Sequence, residues 1–402
     1  MNNSIKYIAL EELADFVRGP FGGSLKKNDF VEEGYAVYEQ QHAINNQFND
    51  IRYFIDEDKF ASMKRFEVNE NDLIMSCSGT MGKVAVVPKG IKKGIINQAL
   101  LKITPSRKLN VRFLEYYMQS STFQFFLNKG AKGAAIKNVA SVKELKKIPF
   151  PDFDFNEQQK IVEKLDKAFE LIDQAKANIE QNIINAKELF QSKLDEVFSQ
   201  KGDGWKENKL TELSKITYGC TEKALQEDTG IKYLRITDIN NGEVHWHEVP
   251  FCKLSTSDEV KYRLTDGDIV FARTGATTGK SFIYHDEVNS VYASYLIRLQ
   301  VSNTHKINPD FVYWYFQSGE YWRIIRTGMT GSTLGGFNAK KLGEIILHYP
   351  ENVDVQKHLI DEFVSLQDET NRIINLYNVK LSNLEELRKS ILEKAFNGEL
   401  TN

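Results

Sequence analysis

Gly275-Ala276-Thr277-Thr278-Gly279-Lys280-Ser281 has the residue types of a phosphate-binding loop. Walker spacing puts four residues between the glycines; three stand here, and the related Gly79-Thr80-Met81-Gly82-Lys83 has two. A loop whose length changes between copies cannot hold one nucleotide geometry, so ATP binding is not expected. His245-Trp246-His247 offers two imidazoles, but no further ligand follows at zinc spacing, and no metal site is expected. The three cysteines, Cys77, Cys220 and Cys252, are scattered and lack a local nucleophile signature. Neither a G-x-S-x-G elbow nor the Asn/Asp-Pro-Pro-Tyr/Phe tetrapeptide of adenine methyltransferases occurs. Catalysis is therefore not expected in this chain.

Basic loops that carry glycine remain. Lys129-Gly130-Ala131-Lys132-Gly133 continues through Lys137 and Asn138 to Lys143, Lys146 and Lys147. The corresponding stretch holds Arg323, Arg326, Gly328, Thr330, Gly331, Ser332, Asn338, Lys340 and Lys341. A third loop runs from Arg18 through Gly22 and Gly23 to Lys26 and Lys27. Glycine lets backbone approach a phosphate, and Lys, Arg, Asn, Ser and Thr suit phosphates and base edges. With Lys83, Arg273 and Lys280, these loops form the candidate DNA-binding set. For any one lysine solvated surface is the preferred reading; the repetition of the cluster favours DNA contact. The net charge of −3 weighs mildly against nucleic acid, so the binding charge must be local or shared with a partner.

The loops belong to a repeat. Asn71–Met75 and Gly79–Lys83 return as Gly267–Phe271 and Gly275–Lys280. Gln158, Glu188, Leu189, Ser192, Leu194 and Phe198 return as Gln356, Glu386, Leu387, Ser390, Leu392 and Phe396, every pair 198 residues apart. Chance identities would scatter in offset. Each half starts with short apolar runs bounded by Gly, Pro and Asn, which predict strands and turns. Aromatics then fall at helical spacing over 111–127 and 310–325, and proline closes the segment.

A long helix follows in each half. Asn156 with Gln159 predicts a capped start for the first, and Asp354 caps the second. Apolar residues then step by four and three: Ile161, Leu165, Ala168, Ile172, Ala175, Ile179, and Leu359, Phe363, Leu366, polar Thr370, Ile373, Tyr377. That is a heptad seam. About 40 residues at 1.5 Å each reach about 60 Å, more than a small domain can cover, so each helix needs a partner. The two are expected to pair as an antiparallel coiled coil, with a globular domain at either end.

The expected fold class is α/β (mixed α+β): a domain at 1–155, a helix at 156–200, a similar domain at 204–352 and a helix at 353–398. With 402 residues, 27% charged and 41% hydrophobic, the chain has the balance of a soluble two-domain protein. No apolar run is long enough for a membrane span, the N-terminus lacks a signal-peptide layout, and the cysteines suit a reducing cytoplasm.

In this order, Arg18-Gly19-Pro20-Phe21-Gly22, Asp72-Leu73-Ile74 to Gly82-Lys83, Asn156-Glu157-Gln158-Gln159, Gly267-Asp268-Ile269 to Gly279-Lys280 and Val355-Gln356-Lys357 resemble the specificity subunit of type I restriction-modification systems (HsdS) along the whole length. The second copy departs where Gly219-Cys220-Thr221 replaces the Gly-Pro-Phe-Gly loop and Val355-Gln356-Lys357 replaces the doubled glutamine. The resemblance implies that each globular segment reads half of a split double-stranded DNA site and that the helices set the half-site distance. It also implies two docked methyltransferase subunits and, in the full complex, restriction subunits. S-adenosylmethionine, ATP and Mg would sit on those partners, none on this chain. Two alternatives stay open here: a specificity chain whose partner fuses cutting with methylation, and a coiled-coil scaffold without DNA.

Overall fold

The computed structural model describes residues 5–21, 23–129, 142–240, 242–329 and 337–400. It is a mixed α/β protein of two compact units. One comprises Met1–Ile179 with Val379–Asn402, the other Glu180–Asn378. Both contain part of each long helix, Phe155–Phe198 and Val353–Phe396. No helix among the described residues is long and apolar enough to cross a membrane.

The first unit holds a four-stranded antiparallel sheet in the order Ala14–Arg18, Leu100–Pro105, Leu73–Ser76, Val84–Val86. The second repeats it as Ser214–Tyr218, Leu296–Val301, Ile269–Ala272, Ser281–Ile283. The central strands are buried on both faces, which is why they read as continuous apolar runs. A parallel pair accompanies each sheet, Tyr35–Tyr38 with Gly94–Ile96 and Lys232–Leu234 with Ser290–Tyr292.

The repeated motifs have local structural work. Asn71 (φ 65°) and Gly267 (φ 80°) turn the chain left-handed into the central strand. The next aspartate closes each turn: Asp72 accepts from Asn69 N–H at 2.7 Å and Asp268 from Thr265 N–H at 2.8 Å. Gly82 and Gly279 end the following hairpin turn at φ 74° and 96°. A Cβ on Gly82 would stand 2.3 Å from Leu127 Cδ2, and one on Gly279 2.8 Å from Trp322 Cζ3. The loop that imitates a nucleotide site is thus a hairpin turn packed under a helix.

The aromatic stretches form two helices each, Val111–Gln119 then Ser121–Lys129, and Pro309–Tyr315 then Gly319–Met329. The long helices start slightly before the expected caps. Asp154 and Glu157 make a reciprocal capping box, Glu157 N–H to Asp154 at 2.8 Å and Asp154 N–H to Glu157 at 3.0 Å, so Asn156 lies inside the helix. Asn352 accepts from Asp354 N–H at 2.8 Å and takes the capping role expected of Asp354.

The repeated glutamine latches each helix to its own domain. Gln158 is buried; its Oε1 accepts from Asn110 N–H at 2.8 Å and its Nε2 donates to the carbonyls of Phe153 and Lys108 at 2.9 and 3.1 Å. Gln356 repeats the pattern with Asn308 N–H, Pro350 and Lys306. Gln158→Ala is expected to cost the first unit about 1–3 kcal/mol, because Asn110 N–H loses its acceptor in a buried place. Faster amide exchange over Val111–Gln119 with unchanged exchange over Pro309–Tyr315 checks this.

Within each unit the long-helix segments run antiparallel. In the first, Asp173 pairs with Arg388 at 3.0 Å, Lys176 pairs with Glu385, and Arg388 lies 4.0 Å from the Phe169 ring. In the second, Phe198 faces Phe363, ring centroids 5.8 Å apart. Of the expected seam, Ile161, Leu165, Ile172 and Phe363 are buried, and Ala168, Ile179, Leu359, Leu366 and Tyr377 are half-buried. Ile373 is corrected: it is 37% exposed while Ile374 is half-buried, because the buried step after Thr370 is four residues, not three.

The far end of each helix enters the other half's globular fold. Phe396 packs in the first unit on Phe113 and Tyr117, both at 5.2 Å, and Phe198 in the second on Phe311 and Tyr315 at 5.1 and 5.5 Å. Glu393 accepts from Ser121 N–H at 2.8 Å, and Asp195 from Gly319 N–H at 2.6 Å, so each caps an aromatic helix of the fold it enters.

Candidate nucleic-acid interface

Strand register gathers several candidates at one end of each four-stranded sheet. Arg18 pairs with Leu101, Leu101 with Met75, and Met75 with Val84, beside which stands exposed Lys83. Arg18 and Lys83 therefore stand at the same sheet end, on opposite outer strands about 14 Å apart at the usual strand spacing. In the second unit the matching row is Tyr218, Ile297, Phe271 and Ser281, flanked by exposed Lys280 and followed by Arg273.

The two rows differ in which strand supplies the arginine. Arg18 ends an outer strand and reaches toward Cys77, which follows Leu73–Ser76. At the place of Arg18 the second unit has Tyr218, and at the place of Cys77 it has Arg273. Arg273 lies 5.0 Å from the Tyr218 ring, and its Nε donates to Ser294 O at 3.0 Å. Arg18 lies 5.5 Å from the Phe21 ring. Exposed aromatics stand beside both: Phe21 at 64%, Tyr218 at 43% and Tyr295 at 58%. Reading the sequence alone missed these aromatics; aligning the copies strand by strand would have set Tyr218 opposite Arg18.

Gly219 keeps the backbone role of Gly19 although the surrounding loop differs. Their N–H groups donate to Leu296 O and Leu100 O at 3.2 and 3.0 Å. A Cβ would meet Ala293 O at 2.3 Å or Asn97 O at 1.8 Å, so both positions demand glycine.

Arg273 also anchors the loop that precedes helix Ala339–Gly343. Phe337 N–H donates to Arg273 O at 2.9 Å, and Ala339 N–H donates to Tyr218 Oη at 3.1 Å. Exposed Lys340 is in that helix, close in sequence to both contacts. Arg326 is exposed on Gly319–Met329. Lys26 and Lys27 are exposed around a short turn where Lys26 N–H donates to Asp29 at 2.6 Å. Lys83 lines a hollow of about 470 Å³ with Asn46, Gln119, Gln124, Arg388 and Lys389. Lys132, Lys137, Asn138, Thr330 and Ser332 lie outside the described residues.

Other chemistry finds little support. Burial pushes the thiols up, Cys77 and Cys252 to about 11 and Cys220 to about 12, the opposite of an activated nucleophile. All three cysteines are free and buried. His245 and His247 are exposed with rings 6.0 Å apart, and no metal-binding group of three ligands occurs among the described residues.

The sequence profile of the type I restriction modification DNA specificity domain matches residues 4–184 and again 202–382. The chain is 26% identical over 320 residues to the type I restriction enzyme EcoKI specificity subunit of Escherichia coli, spanning 74% of this chain and 68% of that one. It is 24% identical to the StySPI specificity subunit of Salmonella potsdam, over 74% and 67% of the two chains. The fold is shared with a chain of a solved type I restriction-modification complex, at a TM-score of 0.77, 15% identity and 98% coverage of both chains. The specificity (HsdS) subunit of Thermoanaerobacter tengcongensis superposes at 0.59, with 15% identity and 99% and 98% coverage. Doubled sheets, two long helices and a domain profile that matches twice lead to one conclusion: the chain belongs to the family of type I restriction-modification DNA specificity subunits.

Proposed function

We propose that this chain selects the DNA site for a methyltransferase complex, each sheet-bearing domain reading one half of a bipartite double-stranded sequence. The reading domains are 1–155 and 204–352, and the helices at 156–200 and 353–398 are the spacer between half-sites. The observation that carries this reading is the twofold match of the specificity-domain profile, each copy containing its own four-stranded sheet with basic residues at one end. Two methyltransferase subunits dock on the long helices, whose exposed apolar residues include the repeat-related Leu189 and Leu387. S-adenosylmethionine binds on those partners, and ATP and Mg on restriction subunits of the full complex, in the cytoplasm. Partner phosphate contacts account for a net charge of only −3.

Domain exchange with methylome sequencing tests the proposal. Replacing 1–155 by the matching domain of another family member, with Gln158 and Phe396 retained, is expected to change one half of the methylated motif. A change in both halves, or a motif without two halves, would sink it.

A further inference from the structure

Of the thirteen arginines in the sequence, Arg18 and Arg273 are the two that are half-buried without a carboxylate ion pair among the described residues. Arg52, Arg112, Arg235, Arg263, Arg298 and Arg388 each have an acidic partner within 4.0 Å. The remaining five, Arg65, Arg107, Arg323, Arg326 and Arg372, are exposed. A partly desolvated guanidinium without an anion is costly to keep unless a ligand completes it. That the unpaired pair falls at one end of equivalent sheets, from different strands, is a second observation independent of charge.

Both guanidiniums are oriented before any ligand arrives. Each lies against an exposed aromatic ring, Phe21 or Tyr218, and Arg273 has its Nε committed to Ser294 O. That leaves the two terminal NH2 groups of Arg273 as a planar donor pair on a rigid strand end. Phosphate contacts tolerate long mobile lysines, whereas a base edge needs a fixed bidentate donor. The base with two adjacent major-groove acceptors is guanine, through O6 and N7.

From this we infer that Arg18 and Arg273 each read a guanine, one in either half-site, with Phe21 and Tyr218 holding the guanidinium planes. The inference rests on the DNA-reading function proposed above and names the residue and base that carry part of its specificity. The strand swap gives it a use: the guanidinium comes from a different strand in each unit, so the guanine can occupy a different position in each half-site.

The test uses the full chain with its methyltransferase partner. The methylated motif is read from cells, and duplexes bearing every single base-pair change in it are then assayed for methylation. Arg18→Lys is expected to reduce discrimination at one G·C pair of the first half-site by about 10- to 100-fold, with the second half-site unaffected. Arg273→Lys is expected to do the same in the second half-site only. Lysine keeps the charge, so a misfolded domain, which would lose its whole half-site, is told apart from a single relaxed position. Unchanged discrimination overturns the inference. So does a uniform change over all duplexes that leaves the base discrimination intact, the mark of a phosphate contact. A wild-type complex that methylates no bipartite motif would instead refute the underlying function.

Discussion

Phe198→Ala is expected to destabilise the second unit by about 3–5 kcal/mol, the range for emptying a buried aromatic site. Phe198 is 1% exposed and packs against Phe311, Tyr315 and Phe363, three rings from two further helices. All three belong to helices whose other apolar residues pack in the same core. The cavity therefore stays largely open, and the loss sits at the upper part of the range. Amide exchange over Pro309–Tyr315 should accelerate by two or more orders of magnitude, with Val111–Gln119 unchanged. Phe396→Ala should produce the reverse pattern. If both segments responded equally to either change, the helix ends would not be anchored as described.

The second large effect concerns a buried charge. Arg298 and Asp268 are 6% and 1% exposed and 3.4 Å apart beneath the second sheet. Arg298 also donates to Arg263 O at 2.8 Å, but its Nε is buried without a partner among the described residues. Burial raises the Asp268 carboxyl above the usual range, only partly offset by Thr265 N–H and Arg298. The pair is thus a poor source of net stability, yet removing one member is expensive. Asp268→Ala is expected to cost about 3–5 kcal/mol by leaving Arg298 uncompensated, while the double change Asp268→Leu with Arg298→Met is expected to be close to neutral. Denaturant unfolding of the second unit measures both. A double mutant as unstable as Asp268→Ala would show that turn geometry, not charge, dominates. The first unit offers a control: Lys102 donates to Glu67 O at 2.5 Å and Asp72 accepts from Thr104 at 2.6 Å, so Asp72→Ala should cost less.

Much of the fold could be read from residue order because periodic signals are local. Short apolar runs bounded by Gly, Pro and Asn mark strands, as at Val84–Val86 and Leu296–Val301, and steps of four and three mark the long helices. Gln158 and Gln356 stood out as a repeat pair, yet spacing could not say that each amide satisfies three backbone groups. Residue pattern places the caps two residues late at each start, because Asp, Asn and Glu cluster there and several pairs fit the same pattern. Sequence pattern cannot show whether a buried step is three or four residues where Ile373 and Ile374 are adjacent, so it does not decide which of them joins the seam.

Residue order established the duplication, the element types and the absence from the sequence of recognised catalytic motifs, since all three depend on identity and spacing along the chain. Three-dimensional packing determined that Phe198 serves the second core and Phe396 the first, and that Arg18 and Arg273 stand at the same end of equivalent sheets on different strands. A helical stripe records which face must be covered but not what covers it. Partner choice is set by complementary surfaces far apart in sequence, and those exist only once the chain has closed on itself.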